Sequence, residues 1–176
     1  MIMIWSRRCV QFYLLVGWLG FTLVAFRYFT FERLIDFDVD GLLLDINTLA
    51  FEQQLSVDMF DGLALPVNSI INFTDQECRC NKVSQIHING LKATARKHEF
   101  TVLDVNPKES ELVTSTPSVA ITNNSGELVY FGPYGAGVSC SKTNGLAQTA
   151  LDNYIKGYSV NMIVADVKGC YCHLLT

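Results

Sequence analysis

The chain has 176 residues, enough for one globular domain of ordinary size plus an extension. Hydrophobic residues make up 49% of it, high for a soluble protein of this length, and no internal repeat or low-complexity segment accounts for the excess. Apart from Arg7 and Arg8, 11 Lys and Arg face 17 Asp and Glu, and no basic stripe or patch appears, which argues against a nucleic-acid partner.

The apolar excess sits at the start. Residues 9–26, CVQFYLLVGWLGFTLVAF, form a run of 18 residues without a charge, in which Gln11 and Thr22 are the only clearly polar side chains. At about 1.5 Å per residue the run just reaches the length needed to cross a bilayer core. Arg7 and Arg8 precede it, Arg27 follows it, and Trp5, Trp18, Tyr28 and Phe29 suit a membrane interface. Two basic residues on so short a leading segment favour a cytoplasmic N-terminus and an exported domain, although Arg27 and Arg33 weigh on the other side. A cleaved signal peptide would want small residues at an A-x-A-like site, and Val24-Ala25-Phe26-Arg27 offers none. Residues 1–8 are therefore expected to be a short cytoplasmic segment and residues 9–27 a transmembrane anchor.

Residues 28–46 look like a tether and an irregular, partly apolar lead-in. From Asn47 or Thr48 the pattern LAFEQQLSVDMF has helical spacing, with Gly62 beyond its end, so residues 28–63 comprise tether and N-terminal helix. A strand is expected between Pro66 and Phe73. Four polar residues, TDQE, lead to Cys78-Arg79-Cys80, and residues 82–98 suit an amphipathic helix with Val83, Ile86, Leu91 and Ala95 near one face. Asn89-Gly90 falls inside that helix and weakens its pattern. Residues 100–105 read as a short buried strand and residues 117–122 as another, which Asn123-Asn124-Ser125-Gly126 turns into a third at 127–131. A Gly-rich loop precedes a final helix at 144–158, with Leu146, Ala150, Leu151, Tyr154 and Ile155 as its apolar stripe. The tail from Ser159 is apolar, lacks clear periodicity and carries Cys170-Tyr171-Cys172-His173. This order predicts an α/β three-layer sandwich with a mixed central sheet over residues 64–176.

Six cysteines are present, of which Cys9 falls in the membrane run and reads as inert. The others, Cys78, Cys80, Cys140, Cys170 and Cys172, are odd in number, so an oxidised domain leaves at least one thiol over. Cys78 is expected at the end of a strand and the start of a helix, where backbone N–H groups and the helix dipole favour thiolate. Arg79 pushes the same way, while Asp75 and Glu77 push back. A bond between Cys78 and Cys80 would close a tight ring that only restricted backbones allow. Alternatively both pair elsewhere, for instance with Cys140 and a tail cysteine. After the closing helix carries the chain about 20 Å away, residues 158–169 can span up to roughly 40 Å, enough to return Cys170 and Cys172 to the same end of the sheet. His87 and His98 read as solvated or partly buried. His173 is different, because Cys78, Cys80, Cys170, Cys172 and His173 could assemble a soft site for Cu or Zn, although C-x-C matches zinc spacing poorly. No Ser/His/Asp set, Walker loop or dinucleotide fingerprint is present, and GPYGAG reads as a loop, so no dinucleotide partner is expected.

Phe73, four polar residues and a cysteine opening a helix resemble the thioredoxin active-site segment, and Thr116-Pro117 ahead of a strand resembles its cis-proline loop. That likeness covers roughly residues 64–158. More narrowly, the C-x-C pair, the TPS and YFGPYG strings, Cys140 and the terminal CYC are similar to a family of membrane-anchored, thioredoxin-like bacterial proteins classed as a domain of unknown function. Two departures stand out: thioredoxins have Trp at the position of Thr74, and two residues rather than Arg79 alone between their cysteines. The resemblance implies a thioredoxin-like fold on a single-pass anchor in a bacterial inner membrane, with the domain in the periplasm. It further implies thiol–disulfide exchange with a protein partner and no cofactor. Cys78 would be nucleophile and Cys80 resolving thiol, with Cys140, Cys170 and Cys172 as secondary thiols, while Thr116 and Pro117 bind an extended substrate segment. Two other readings stay open: a Cu or Zn metallochaperone or sensor, and a non-catalytic, disulfide-stabilised interaction domain.

Overall fold

The structure, a computed structural model, describes residues 7–31, 34–107, 110–137, 145–158 and 161–174. It divides into two compact units, Met1–Arg33 and Leu34–Thr176. The first is helix α1 (Arg7–Phe31), within which Arg7–Phe29 is long and apolar enough to cross a membrane. These 23 residues measure about 35 Å along the axis against a hydrocarbon core of about 30 Å. The helix thus outruns the uncharged stretch at both ends.

The second unit runs β1 (Ile35–Asp36), α2 (Thr48–Phe60), β2 (Ser69–Phe73), α3 (Cys80–Lys97), β3 (Thr101–Val105), β4 (Ser115–Thr116) and β5 (Ser118–Thr122). It continues through β6 (Leu128–Pro133), α4 (Leu146–Ile155), β7 (Met162–Ile163), β8 (Lys168–Gly169) and β9 (Cys172–His173). Five strands form one mixed sheet in the order β3-β2-β5-β6-β7. β3 lies parallel to β2 through the α3 crossover, β5 is antiparallel to both β2 and β6, and β7 is parallel to β6. The class is mixed α/β, with helices on both faces of the sheet.

Burial of every residue of β2 explains why its sequence, SIINF, shows no alternation of apolar and polar positions. Ile71 and Phe73 join Phe51 and Leu55 of α2, with Phe37, Ala120 and Phe131, in one core. Phe51 and Phe131 stack with ring centroids 4.4 Å apart. Ile70 turns the other way, into a second core with Val119, Ile121 and Tyr130 beneath Ile88, Leu91 and Ala95 of α3 and Ala147, Ala150 and Leu151 of α4. Each large side chain so buried contributes about 1.5–3 kcal/mol.

Local sequence sets the element ends. Asn47 caps α2, its side-chain oxygen accepting the Ala50 N–H at 2.8 Å. At the β5–β6 turn the Asn123 side chain accepts the N–H groups of Ser125 and Glu127 at 2.8 and 2.9 Å. Gly126 follows at φ +82°, where an added Cβ would come within 2.8 Å of the Leu65 carbonyl oxygen.

Three expectations are corrected. The buried stripe of α3 is Cys80, Ser84, Ile88, Leu91 and Ala95, and Val83 and Ile86 lie outside it, 44% and 68% exposed. Steps of four, four, three and four keep one face inward, and small polar side chains complete what hydrophobicity alone missed. Gly90 has open space beside it and does not interrupt the helix. The lead-in before α2 is also more than a tether, since Phe37 is fully buried and its N–H donates to the Val167 carbonyl at 2.9 Å. The tail, finally, is ordered into β7, β8 and β9, two residues each, too short to leave a period in the sequence. β8 pairs with β1, Ile35 facing Gly169 and Asp36 facing Lys168.

Tyr130 and Tyr134 are wholly buried; the Tyr130 hydroxyl donates to the Pro133 carbonyl at 2.6 Å, and that of Tyr134 to the Asn72 side-chain oxygen. Burial pushes both phenols well above their ordinary range, helped by Tyr171 for the first and by Asp104 and Tyr130 for the second. A raised folded-state pKa means that the unfolded chain releases its phenolic protons first. The associated stability is complete below about pH 10 and declines as the pH rises beyond it. Urea midpoints of the full chain in detergent should accordingly fall above about pH 10, and a Tyr130→Phe variant should show a shallower alkaline decline.

The α3 register gives a second test. Leu91→Ala should cost about 2–5 kcal/mol of unfolding free energy, and Ile86→Ala no more than about 0.5 kcal/mol, read from the same urea curves.

Candidate functional site

Phe73 ends β2, and the chain turns at once. The Thr74 N–H donates to the Val105 carbonyl at 3.2 Å. Asp75 then organises the turn: its carbonyl accepts the Cys78 N–H at 3.0 Å and the Asn81 side-chain amide at 2.5 Å, while its carboxylate accepts the Glu77 N–H at 3.2 Å. α3 opens at Cys80, with Arg79 at its cap and no side-chain cap bond. Cys78 therefore stands just before the Arg79 cap instead of starting the helix, and Cys80 occupies the first helical position.

The facing wall is β4 and the residues after it. Ser115, Thr116, Pro117 and Ser118 are all buried, and the Thr116–Pro117 peptide is cis. β9 lies antiparallel on β4, Ser115 opposite His173 and Thr116 opposite Cys172. The tail is fixed further by Leu174, whose N–H donates to the Thr114 carbonyl at 3.0 Å. Tyr171 is buried, its hydroxyl donating to the Gly135 carbonyl at 2.8 Å and its ring set edge-on to Phe37, centroids 5.2 Å apart.

Cys170 lies in the bend after β8 and Cys172 opens β9, while Tyr171 between them is buried in the core. The two tail cysteines meet the C-x-C pair bond for bond. Cys78 is joined to Cys172 and Cys80 to Cys170, with Cα separations of 5.8 and 5.5 Å. Both separations lie in the ordinary range for a disulfide. The C-x-C pair is not closed on itself, which corrects the expectation of Cys80 as the immediate partner of Cys78. The expected return of Cys170 and Cys172 to this end of the sheet is what the structure has.

Cys78 and Cys80 are 5% and 8% exposed, whereas Cys170 and Cys172 are half-buried, so access is from the tail side. Cys78 Sγ lies 3.5 Å from the Thr116 carbonyl oxygen. The sulfurs of Cys78, Cys80 and Cys172, drawn from two different bonds, lie within 4.8 Å of one another. Cys140 lies outside the described residues, and Cys9 is within α1.

His173 is not part of the sulfur group. Its Nδ1 is 2.9 Å from Ser115 Oγ, and the Ser115 hydroxyl donates to the Phe37 carbonyl at 2.6 Å. The single serine proton being used there, His173 Nδ1 carries the hydrogen and donates it to Ser115. On this side of β9 a cavity of about 550 Å³ is lined by Val39, Leu42, Val113, Leu174 and the carboxylates of Asp40 and Glu111, among others.

Ser115, Tyr171 and Phe37 position the sulfurs, yet none was singled out from the sequence, and Asp75 was weighed there only for its charge and not for the turn it organises.

The fold and site define a mixed α/β domain, preceded by an apolar helix, in which two disulfides join a C-x-C pair at the start of α3 to a C-x-C pair in the C-terminal tail. Residues 50–174 match the family described as domain of unknown function DUF6436, and the chain belongs to that family. The matched region contains all four bonded cysteines. No curated protein and no solved structure matches the chain.

Digestion of the unreduced protein with trypsin and chymotrypsin, which cut after Arg79 and Tyr171, separates the four cysteines onto different peptides. Mass spectrometry should find Cys78 linked to Cys172 and Cys80 to Cys170. A Cys78–Cys80 or Cys78–Cys170 link as the main product contradicts the arrangement.

Proposed function

We infer that the chain is a thioredoxin-like thiol–disulfide exchange protein, anchored through residues 9–27 in a bacterial inner membrane with its domain in the periplasm. The observation that carries this is the proximity of three sulfurs from two separate disulfides, within 4.8 Å of one another. A purely structural pair of bonds has no need of such closeness, whereas exchange requires one sulfur to lie in reach of another bond. Strand order supports the thioredoxin-like reading: a parallel β2–α3–β3 unit, an antiparallel β5–β6 hairpin and a closing helix, with cysteines after the first strand and Thr116-Pro117 across from them. The apolar helix α1 supports the anchor, and Arg7 and Arg8 support a cytoplasmic N-terminus.

In this reading a partner thiolate attacks the more accessible Cys172 sulfur and forms a mixed disulfide, and Cys78 leaves as thiolate. The partner's second thiol then attacks its own sulfur in that mixed disulfide, releasing Cys172. The partner ends as a disulfide and the domain holds the two electrons; the reverse sequence oxidises the domain. In that reverse direction the accessible Cys172 thiolate attacks the partner's disulfide, and the buried Cys78 resolves the mixed disulfide by attacking the Cys172 sulfur and expelling the partner thiol. Cys80 with Cys170 forms a second, adjacent couple. Thr116 and Pro117 line the site where the partner's cysteine-bearing segment binds.

The test is equilibration of the full chain, in detergent, across graded glutathione and dithiothreitol buffers, followed by thiol trapping with a mass-tagged maleimide. Both bonds should titrate under native conditions. Cys80→Ser should displace the midpoint of the remaining Cys78–Cys172 couple by at least tenfold in equilibrium constant, about 30 mV. Bonds that stay closed at the reducing end until the protein unfolds would leave the structural module as the correct reading.

A further inference from the structure

The disulfides are not the only restraint on the sulfurs. Behind Cys170 and Cys172 the tail is tied down by the Gly137 N–H on the Lys168 carbonyl at 2.7 Å, the Phe37 N–H on the Val167 carbonyl at 2.9 Å and the Leu174 N–H on the Thr114 carbonyl at 3.0 Å. Tyr171 is buried between the two cysteines. On the other side, the Asp75 turn and the start of α3 hold Cys78 and Cys80. Opening both bonds therefore leaves the thiols facing one another across the same narrow gap.

We propose that the reduced domain binds one Cu(I) ion through the thiolates of Cys78, Cys80 and Cys172, so that closing the disulfides excludes the metal and opening them admits it. This rests on the exchange reading above, which supplies the reduced state. The donor group is all sulfur, with no imidazole or carboxylate among its members. Thiolates select soft ions such as Cu(I), whereas structural zinc wants four ligands. A metal bound to three sulfurs at about 2.3 Å sets them about 4 Å apart, inside the spread that the group already has.

A second observation points the same way. The hydroxyls of Thr116 and Ser118 belong to fully buried residues and have no hydrogen-bond partner among the described residues. An unmet buried hydroxyl costs about 1–3 kcal/mol. Thr116 stands directly opposite Cys172 in the β4–β9 pair, so its side chain shares a face with that sulfur. A disulfide is a poor acceptor for such a hydroxyl and a thiolate is a good one. The start of α3 and Arg79 add positive potential beside the anionic complex.

The step balances simply. A dithiol donor gives each disulfide two electrons and two protons and closes to a disulfide itself. The copper enters already as Cu(I), keeps its oxidation state, and displaces the protons of the three thiols that bind it.

The experiment uses the full chain in detergent, reduced with dithiothreitol under nitrogen, freed of reductant, and titrated with Cu(I) against bathocuproine disulfonate. A thiol count before titration should exceed that of the oxidised chain by the four cysteines of the two bonds. The reduced chain should then hold one Cu(I), with thiolate-to-copper charge transfer in the ultraviolet, and the oxidised chain none. Cys172→Ser and Cys80→Ser should weaken binding beyond the roughly 10–100-fold that loss of an outer-shell partner costs, and Cys170→Ser should stay within it. Cys170→Ser and Cys80→Ser remove the same disulfide, so a difference between them reports ligation and not loss of the bond; circular dichroism checks that each variant is folded. Absence of the extra thiols overturns the exchange reading and this proposal together. Thiols that appear while no Cu(I) is held, equal losses for Cys170→Ser and Cys172→Ser, or uptake by the oxidised chain overturn this proposal and leave the exchange reading standing.

Discussion

Burial of Tyr171 fixes the tail that carries Cys170 and Cys172. Its ring packs edge-on to Phe37 and its hydroxyl reaches the Gly135 carbonyl, so the middle residue of Cys-Tyr-Cys belongs to the core under α2. The flanking Cys170 and Cys172 stay half-buried outside that core, where they are bonded to Cys80 and Cys78. Phe37 depends on the tail in return, through its bond to Val167, and its carbonyl receives the hydroxyls of Thr114 and Ser115. The lead-in, the tail and β4 thus form one interlocked edge, and the disulfides join that edge to α3.

The two faces of the sheet serve different ends. The α3/α4 face is closed by Tyr130 and Tyr134, whose hydroxyls are spent on Pro133 and Asn72, and it contributes rigidity beneath the helix that carries Cys80. The α2 face receives Phe37 and Tyr171 and through them holds the tail. The cysteines sit where β2 gives way to α3, between these two regions, so packing on either face bears on their geometry. The burial gradient from Cys78 and Cys80 to the half-buried tail pair then fixes the side from which another thiol can approach.

Much of this was legible beforehand where a local device makes the structure. Asn47 announced the start of α2, the Asn-Asn-Ser-Gly turn announced the β5–β6 hairpin, and the apolar stretch before Cys78 announced β2. Reach along the chain was enough to bring the tail cysteines back. What could not be read depends on partners distant in sequence. The face of α3 is chosen by Cys80 and Ser84, whose small polar side chains fit close against the sheet where Val83 and Ile86 would have been guessed. Strands of two residues leave no period, so β1, β8 and β9 were invisible until paired. Four cysteines admit three pairings, and nothing in their spacing along the chain selects Cys78–Cys172 with Cys80–Cys170. His173 reaches Ser115 through Nδ1, a contact the sequence did not announce, and its buried Nε2 has no partner among the described residues.

The bonded cysteines are 94 and 90 residues apart, and one bond lies inside the other. Closing the outer bond brings the inner pair together, so in the chain-entropy picture the first closure carries most of the stabilisation, about 4.7 kcal/mol for a loop of this size, and the second adds only a small ring. Cys78 and Cys80 are made long before their partners, and neither has its proper sulfur until the tail exists. Over the 90 residues that separate Cys80 from Cys170 a nascent domain carries the C-x-C pair without its native partners. Correct pairing thus becomes a chemical record that translation has reached the tail, written into the chain without any separate inspection.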